Sequence, residues 1–578
     1  MPETLKTQVL VVGGGTGGTC AAIQAARRGI KTTLVSEFPW LGGMLTSAGV
    51  AVPDGNELIA LQTGLWGQYI QTLRQKQPGG LDRSWVSLFS YHPRIGAEIF
   101  AHWVNTLPNL HWISGQVPLE VHKTHNRITG VRFPDYDIYA QITLDGTELG
   151  DLLPLADIPY RWGWELKAEF NEPSAPETFN DLTQRYPVQS PTWVVLLQDY
   201  HHNAPEIPVP PKDTSDQFQG AWDNYGGESF LNYGRLTDNL YMLNWPIHGN
   251  DYAENLQRLV ESETAKQEYY QEAQWHSQSF ARYIQTHLGQ RYGLAENAFP
   301  HPSNWAFALH PYFRESRRLQ GQITVTEGMI LPQSGGTVAP LPTDSQGQVT
   351  AIIVGNYAND HHYPGVDFKL QPKSMRWGGR WTGTPFAIPY FALISETVEG
   401  FLVCEKNISV SHIANGATRL QPIVMGIGQA AGMTAALCVE CQCQPQDLSV
   451  RQVQEALITD AVAPMAVIPL LNLPPTHPEW QAWQRYYLDH PEDYPLDGNC
   501  GCSEGFSSEV AAGKCVAGIL SPQGEEMYQL QTGSGSWQVV TTRPEVYRKL
   551  QGVSEPKSVK LWGYENAAGG WLVVEKWE

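Results

Sequence analysis

Charge is scarce in these 578 residues. Asp, Glu, Lys and Arg make up 17%, against roughly 25% in an average soluble domain. What charge there is leans acidic: 38 basic against 58 acidic residues, a formal net charge of −20. A basic footprint for a nucleic-acid backbone or an anionic membrane is missing, and neither is expected as a partner. Long apolar runs are missing as well. No stretch is expected to approach the roughly 18 apolar residues of a spanning helix, and AIQAARRG is interrupted by Arg27 and Arg28. The opening MPETLKTQVLVVGGG has no charged leader, long apolar core or small-residue cleavage site, so a cytoplasmic location without membrane insertion is expected. Cysteine is sparse, at eight residues. The cluster Cys438, Cys441, Cys443 and the CGC of Cys500 and Cys502 lack the paired CxxC spacing of a zinc or iron-sulfur site, so no metal is expected.

Against these absences stand 20 Trp, 25 Tyr, 17 Phe, 54 Gly and 41 Pro. Together they describe a loop-rich chain with flat apolar surfaces, large enough for several domains. Its first forty residues read as a βαβ opening: apolar Val9–Val12, a glycine cluster, an Ala-rich helix over Cys20–Arg28 and a strand over Lys31–Val35. Helical spacing recurs over Ile59–Gln75 and Ile95–Asn105, and Val117–His122 with Gly130–Phe133 reads as a hairpin. From Pro154 the texture turns rich in proline and tryptophan, with one strongly helical piece, Tyr252–Leu288, placed on the surface. A strand over Val349–Val354, a small-residue helix over Val424–Cys441 and a further helix over Leu448–Leu457 follow. Beyond the proline-rich stretch 464–478 come a helix over Glu479–Asp489 and strand-like runs SWQVVTT and GWLVVEKW.

Gly13, Gly15 and Gly18 form GxGxxG directly after an apolar strand and directly before a helix. In that context the first glycine permits a tight turn, the second admits a pyrophosphate to the backbone, and the third lets helix and strand pack closely. The helix amino terminus then offers free N–H groups and a positive dipole end. Glu37, nineteen residues past Gly18, suits a ribose diol and would repel a 2′-phosphate. The doublet Gly42–Gly43 follows at once and argues for FAD rather than NAD, as a second close approach of backbone to cofactor. No second GxGxxG follows a strand, so no separate NAD(P)H domain is visible.

Several segments together resemble the FAD-dependent oxidoreductases of the glutathione-reductase-like superfamily. GGGTGGTCAAIQAARRG and LGGMLT open the resemblance. DGTELGDLLPLADIPYRWG (Asp145–Gly163), FRESRRLQGQITVTE (Phe313–Glu327), NYANDHH, AIPYFALI and NISVSHIANGATRLQPIVMGIGQAAGMTAAL (Asn407–Leu437) continue it over roughly the first 445 residues. One departure stands out: relatives carry AGR where this chain has Cys404, Glu405 and Lys406, so the basic residue that would approach the FAD phosphates is displaced or lost, unless Lys406 substitutes for it. The resemblance implies an α/β fold, with a discontinuous Rossmann-like FAD-binding domain (1–153 and 396–447), an inserted α+β substrate domain (154–395) and a small C-terminal appendage (448–578). It further implies FAD contacts from Gly13, Gly14, Gly15, Thr16, Gly17, Gly18, Glu37, Gly42, Gly43, Met44, Val117, Thr147 and Arg419. The late helix is expected to aim its dipole at the flavin through the N–H groups of Gly428, Gln429 and Ala430.

The expected reaction is removal of a hydride from a C–H bond of a small organic substrate, with oxygen or an external carrier as acceptor. His412 leads the candidates for the base, before His361 and His362, with Asn415, Tyr390 and Arg314 as orienting groups. A monooxygenase or halogenase fed by external reductant, a redox-silent isomerase and a non-enzymatic flavin carrier remain open alternatives. The tryptophans of the inserted region, Trp164, Trp193, Trp245, Trp377 and Trp381 among them, are read first as packing. The competing reading is a stacking wall that includes KSMRWGGRWTGTP.

Overall fold

The computed structural model describes residues 2–300, 305–503, 513–533 and 535–578. The run Val9–Val12 forms β1, with all four side chains buried. After the glycine turn come α1 (Thr16–Arg27) and β2 (Thr32–Ser36), followed by α2 (Gly64–Lys76), α3 (Pro93–Asn105), β3 (Leu110–Ser114) and β4 (Ile142–Asp145). Pro93 opens α3, where a missing N–H costs nothing, and His92 Nδ1 accepts the N–H of Arg94 at 3.1 Å as the cap.

The middle of the chain carries α4 (Glu263–Leu288), β5 (Ala351–Asn356), β6 (Pro385–Pro389) and β7 (Phe401–Val403). It closes with α5 (His412–Thr418), α6 (Gln421–Cys441) and α7 (Val450–Ile458). The helix expected from Tyr252 breaks at Ser262, whose hydroxyl accepts the N–H of Ala265 and caps α4. Tyr269, Ala273, Phe280 and Ile284 recur along its buried face, against the antiparallel sheet of strands 195–199, 240–243 and 292–294.

Five strands form the sheet that positions the site, in the order β7-β4-β1-β2-β3, every neighbouring pair parallel. Such a sheet is covered on both faces, so its strands read as continuous apolar runs. That is why VLVV is legible, and why β7, FLV, arrives from far along the chain to complete the same layer. Helices α1 and α6 cross at backbone contact on one face: a Cβ on Gly428 would lie 2.1 Å from the Gly17 oxygen, and one on Gly432 2.3 Å from that of Ala21. The expectation that no stretch is long and apolar enough to span a membrane is corrected by α6, with 21 residues and a mean hydropathy of 1.5. Protein covers 94% of its most apolar window.

The C-terminal stretch divides. Val453 and Leu457 of α7, with Trp480 and Tyr487 of the helix Trp480–Asp489, lie in the main core, so the expected appendage does not begin at residue 448. A second core, built on Leu520, Leu530, Leu561 and Leu572, fills a closed five-stranded barrel spanning 514–577. A hairpin from the middle of the chain, strands 374–377 and 380–383, plugs onto this barrel. Gly379 (φ +87°) lies so close that a Cβ would stand 2.1 Å from the Val539 oxygen, and Thr541 N donates to Gly378 O at 2.8 Å. KSMRWGGRWTGTP, the segment of the competing wall reading, is thus a docking element: buried Trp377 packs on Tyr547 at 4.4 Å between ring centres.

Candidate functional site

A cavity of about 460 Å³ opens at the carboxyl ends of β1, β2 and β4, where open parallel sheets place their ligands. The glycine turn forms its floor. Gly13 has φ +104°, and a Cβ there would stand 2.2 Å from the carbonyl carbon of Gly146 in the loop after β4, so only glycine lets the two chains meet. Gly42 N donates to Gly14 O at 3.1 Å and Thr16 Oγ1 donates to Gly42 O at 2.8 Å, which clamps the doublet against the turn. Of the expected cofactor residues, Gly13, Gly14, Gly15, Glu37, Gly43, Val117 and Thr147 line the cavity. Thr16, Gly17, Gly18, Gly42 and Met44 are buried in the framework beneath it. Glu37 stands at the end of β2 with its side chain open to the cavity, and Lys266 of α4 lines the same space. Thr147 Oγ1 donates to Asp145 Oδ1 at 2.7 Å, and that carboxylate also accepts the Thr147 and Leu152 N–H groups, holding the third wall.

Glycine floor, acid at the strand end and second glycine doublet fit the sugar and backbone contacts of a dinucleotide. At the phosphate position the fit is different. Glu405 Oε2 accepts the Gly17 N–H at 2.7 Å, and Lys406 Nζ joins Glu405 Oε1 at 3.0 Å to Glu148 Oε2 at 2.6 Å. Burial pushes the Glu405 carboxyl up to about 7. For Glu148 burial pulls the same way, but Lys406 outweighs it and holds the group below its ordinary range.

The late helix is a correction. Gly428, Gln429 and Ala430 lie well inside α6, past its first turn, so their N–H groups belong to the helix interior. Gly428 is the contact point with Gly17, and Gln429 Oε1 accepts the Leu65 N–H at 2.7 Å while its amide donates to Ala463 O at 2.8 Å. The free amino end of α6 lies instead at Leu420 and Gln421, against Gly55, whose Cβ would stand 3.7 Å from that of Leu420 and 3.8 Å from that of Tyr357. Arg419 is likewise outside the cavity lining: it donates to Tyr312 Oη at 2.7 Å and to Asp360 Oδ2 at 3.2 Å.

His361, His362, His412 and Asn415 converge beside that helix end. Their hydrogen bonds can be oriented. His361 Nε2 lies 3.0 Å from the Ile413 carbonyl, which only accepts, so Nδ1 takes the Tyr363 hydroxyl at 2.7 Å. Tyr363 Oη in turn accepts from His412 Nε2 at 2.5 Å, and His412 Nδ1 meets Glu315 Oε1 at 2.9 Å. Burial keeps both imidazoles neutral: it lowers His361 to about 3, holds His412 well below its usual value, and raises Glu315 to about 7. With 0% of its side chain exposed and both nitrogens engaged, His412 has no face for a substrate. His362 has one nitrogen 2.8 Å from Asp251 and the other 2.9 Å from Asp360. Burial would raise both carboxyls, but His362 and Arg314 or Arg419 outweigh it and keep them ionised. Both nitrogens of His362 are thus engaged within the fold. Asn415 donates to Arg314 O at 3.0 Å. Tyr390 is elsewhere: it donates to Pro445 O at 2.6 Å near Cys438, roughly 25 Å along α6 from its amino end at 1.5 Å per residue.

The groups that remain open are ones the sequence reading passed over. Asp360 keeps 42% of its side chain exposed. Asp54 is half-buried and makes no hydrogen bond or ion pair among the described residues. Burial raises its carboxyl well above the usual range, Glu57 adds to the rise, and Arg380 and Arg419 oppose it. Half-buried Tyr233 and Tyr357 feel the charges of both acids. The motif departure at Glu405 and Lys406 was visible as a signal, and Asp360 lies within the NYANDHH segment; Asp54 had none. Among the described residues no cluster of His, Cys, Asp or Glu is arranged to hold a metal ion.

Residues 8–457 match the family described as FAD dependent oxidoreductase. Among solved structures, a geranylgeranyl bacteriochlorophyll reductase-like protein from Thermoplasma acidophilum is similar over 79% of this chain and 84% of its own, at 10% identity and a TM-score of 0.31. The p-nitrophenol 4-monooxygenase of Pseudomonas putida is similar over 34% of this chain at 9% identity and a TM-score of 0.22, the match spanning about half, 49%, of that enzyme. Aquifex aeolicus GidA matches over 36% of each chain at 19% identity and a TM-score of 0.21. No curated protein matches the chain. With the matched family covering the glycine floor, the acid at the strand end and the strand that closes the sheet, the chain belongs to the FAD dependent oxidoreductases and takes FAD as its cofactor.

Proposed function

We propose that the protein removes a hydride from a C–H bond of a small organic substrate next to oxygen, nitrogen or a C=C unit, and passes the electrons to oxygen or an external carrier. When bound, FAD accepts the hydride; the chain binds and orients the substrate and takes its proton. Asp54 carries this reading. It is an unpartnered, half-buried carboxyl near the amino end of α6, and burial raises it above the ordinary carboxylate range, the direction that makes a carboxylate a stronger base. Asp360, gripped by His362 and Arg419 but open on one side, orients a donor group of the substrate. The positive end of α6, with Arg419 beside it, favours negative charge developing beside these acids. His412, His361 and Tyr363 act as positioning residues, tying α5 to the loop that carries Asp360.

The test is an anaerobic screen of alcohols, amines and sugars for bleaching of the flavin absorbance, followed by Asp54→Asn. The variant should keep its flavin spectrum and slow bleaching by about 100-fold or more, within the usual range for a lost general base. Bleaching by NADPH and by no organic donor would overturn the reading in favour of a monooxygenase, and an unslowed Asp54→Asn would remove Asp54 from it.

A further inference from the structure

The phosphate end of the dinucleotide seat already holds an anion of the protein's own. A Cβ placed on Gly15 would stand 2.6 Å from Glu405 Oε2 and 3.3 Å from Glu148 Oε1. One placed on Gly43 would stand 2.5 Å from Glu148 Oε1 and 2.6 Å from the Thr16 nitrogen. Both carboxylates therefore sit in the cradle between the glycine turn and the glycine doublet, at the amino end of α1, where backbone N–H groups and the helix dipole attract anions. Glu405 has taken one of those N–H groups, that of Gly17. Lys406 lies between the acids and is itself buried, with 0% of its side chain exposed, as for Glu405. Glu148 reaches the cavity, and its Oε1 is buried without a hydrogen-bond partner. With both acids ionised the trio has a net charge of −1, and a diphosphate adds two more negative charges.

We propose that Glu148, Glu405 and Lys406 form an internal anion lock that sets the affinity of this chain for the diphosphate of FAD. The diphosphate enters as Glu148 leaves the cradle, and Lys406 exchanges a carboxylate for a phosphate oxygen. Glu148 can make that movement, since it is the acid that borders open space; Glu405 is enclosed on all sides and stays on Gly17. The lock acts on phosphate alone, so the isoalloxazine and the rest of the flavin are indifferent to it. The flavin of this protein is then exchangeable, held less tightly than its glycine cradle would permit. The inference concerns cofactor affinity and stands whatever the substrate proves to be.

The experiment is equilibrium titration of the flavin-stripped full chain with FAD and, separately, with riboflavin, followed by quenching of flavin fluorescence. Glu148→Gln should bind FAD at least tenfold more tightly than the unaltered chain and riboflavin with unchanged affinity. Lys406→Met should weaken FAD by at least tenfold, again without moving riboflavin. Glu405→Gln, which keeps an acceptor for the Gly17 N–H, should tighten FAD like Glu148→Gln, and circular dichroism checks that each variant is folded. Folded Glu148→Gln and Glu405→Gln proteins that bind FAD no better than the unaltered chain would overturn the lock, as would an equal change for riboflavin or the absence of FAD binding throughout.

Discussion

Replacing Gly428 by Ala separates two roles for α6. If its N–H groups served the flavin, one methyl group on an exposed helical position would leave the fold intact and change only the cofactor spectrum. The contact geometry gives a different outcome. The new Cβ would stand 2.1 Å from the Gly17 oxygen and 2.7 Å from both its carbonyl carbon and its Cα. Relief to ordinary contact needs the two helices to part by more than about 1 Å, and backbone atoms have no rotamer to yield. Overpacking of this kind costs about 1 to 3 kcal/mol, and the better helix propensity of Ala returns about 1 kcal/mol. A net loss of up to about 2 kcal/mol is expected. Gly17 also carries the N–H that holds Glu405, so the glycine turn shifts with it and FAD retention falls together with stability. The assay is a thermal melt by circular dichroism paired with the absorbance ratio at 450 and 280 nm after gel filtration. Gly426→Ala serves as the control: its Cβ meets Ile353 Cγ2 at 3.1 Å and then Met465 Sδ at 3.9 Å, so a side-chain methyl can give way and the melt should move little. An unchanged melting temperature for Gly428→Ala, with an altered flavin spectrum, would refute the packing argument.

Three further outcomes follow from particular contacts. Glu37→Ala removes the acid at the end of β2 and should weaken FAD retention by about tenfold, in line with one charge-assisted hydrogen bond, as read by flavin loss on dialysis. Gly379→Ala forces a side chain onto φ +87° and onto the Val539 oxygen at 2.1 Å; the barrel should undock, and limited proteolysis should release a fragment of residues 513–578 while the flavin stays bound. FAD affinity should depend on pH through Glu405, which faces Lys406, Glu148 and the Cys20 thiol of α1. Its carboxyl, pushed up to about 7 by burial, is neutral below that value and adds one negative charge against the diphosphate above it. Affinity should therefore be steady between pH 5.5 and 6.5 and fall by up to tenfold per unit above about 7; Glu405→Gln should flatten the profile, and a slope that survives it would assign the titration to another group.

The βαβ opening was legible because every level agreed: apolar strand, glycine turn, Ala-rich helix, second strand and acid all point the same way. The strands of the inserted region were harder to place, since short runs such as Val195–Asp199 carry no period that separates them from buried helix. Part of the site was legible for a related reason. Backbone contacts to a cofactor need glycine at fixed spacing, and glycine is visible in sequence. Side-chain roles were not. His412 was the best candidate by position and is buried with both nitrogens engaged, whereas Asp54 stands in none of the motifs. Which histidine faces open space depends on Glu315, Tyr363 and Asp251, partners dispersed along the chain, and no local pattern records them.

The same limit explains the glycine doublets. Gly42–Gly43 lies against the dinucleotide turn, Gly428 and Gly432 let α1 and α6 touch, and Gly378–Gly379 lets a hairpin meet the barrel. All three are backbone approaches too close for a Cβ, so the residue type is the same while the approaching chain differs. In the first case it is a strand-to-helix turn whose N–H groups face a cavity, and only there does closeness leave room for a ligand. In the other two the approaching carbonyls fill the space themselves. Small residues thus mark where backbones meet, and function can be assigned only where the meeting leaves a cavity. By that criterion the tryptophan-rich inserted region is mainly packing: Trp245 is buried among Trp85, Tyr225, Phe230 and Tyr233, and Trp164 covers His412 at 3.9 Å. The search for a substrate moves accordingly away from the aromatic wall.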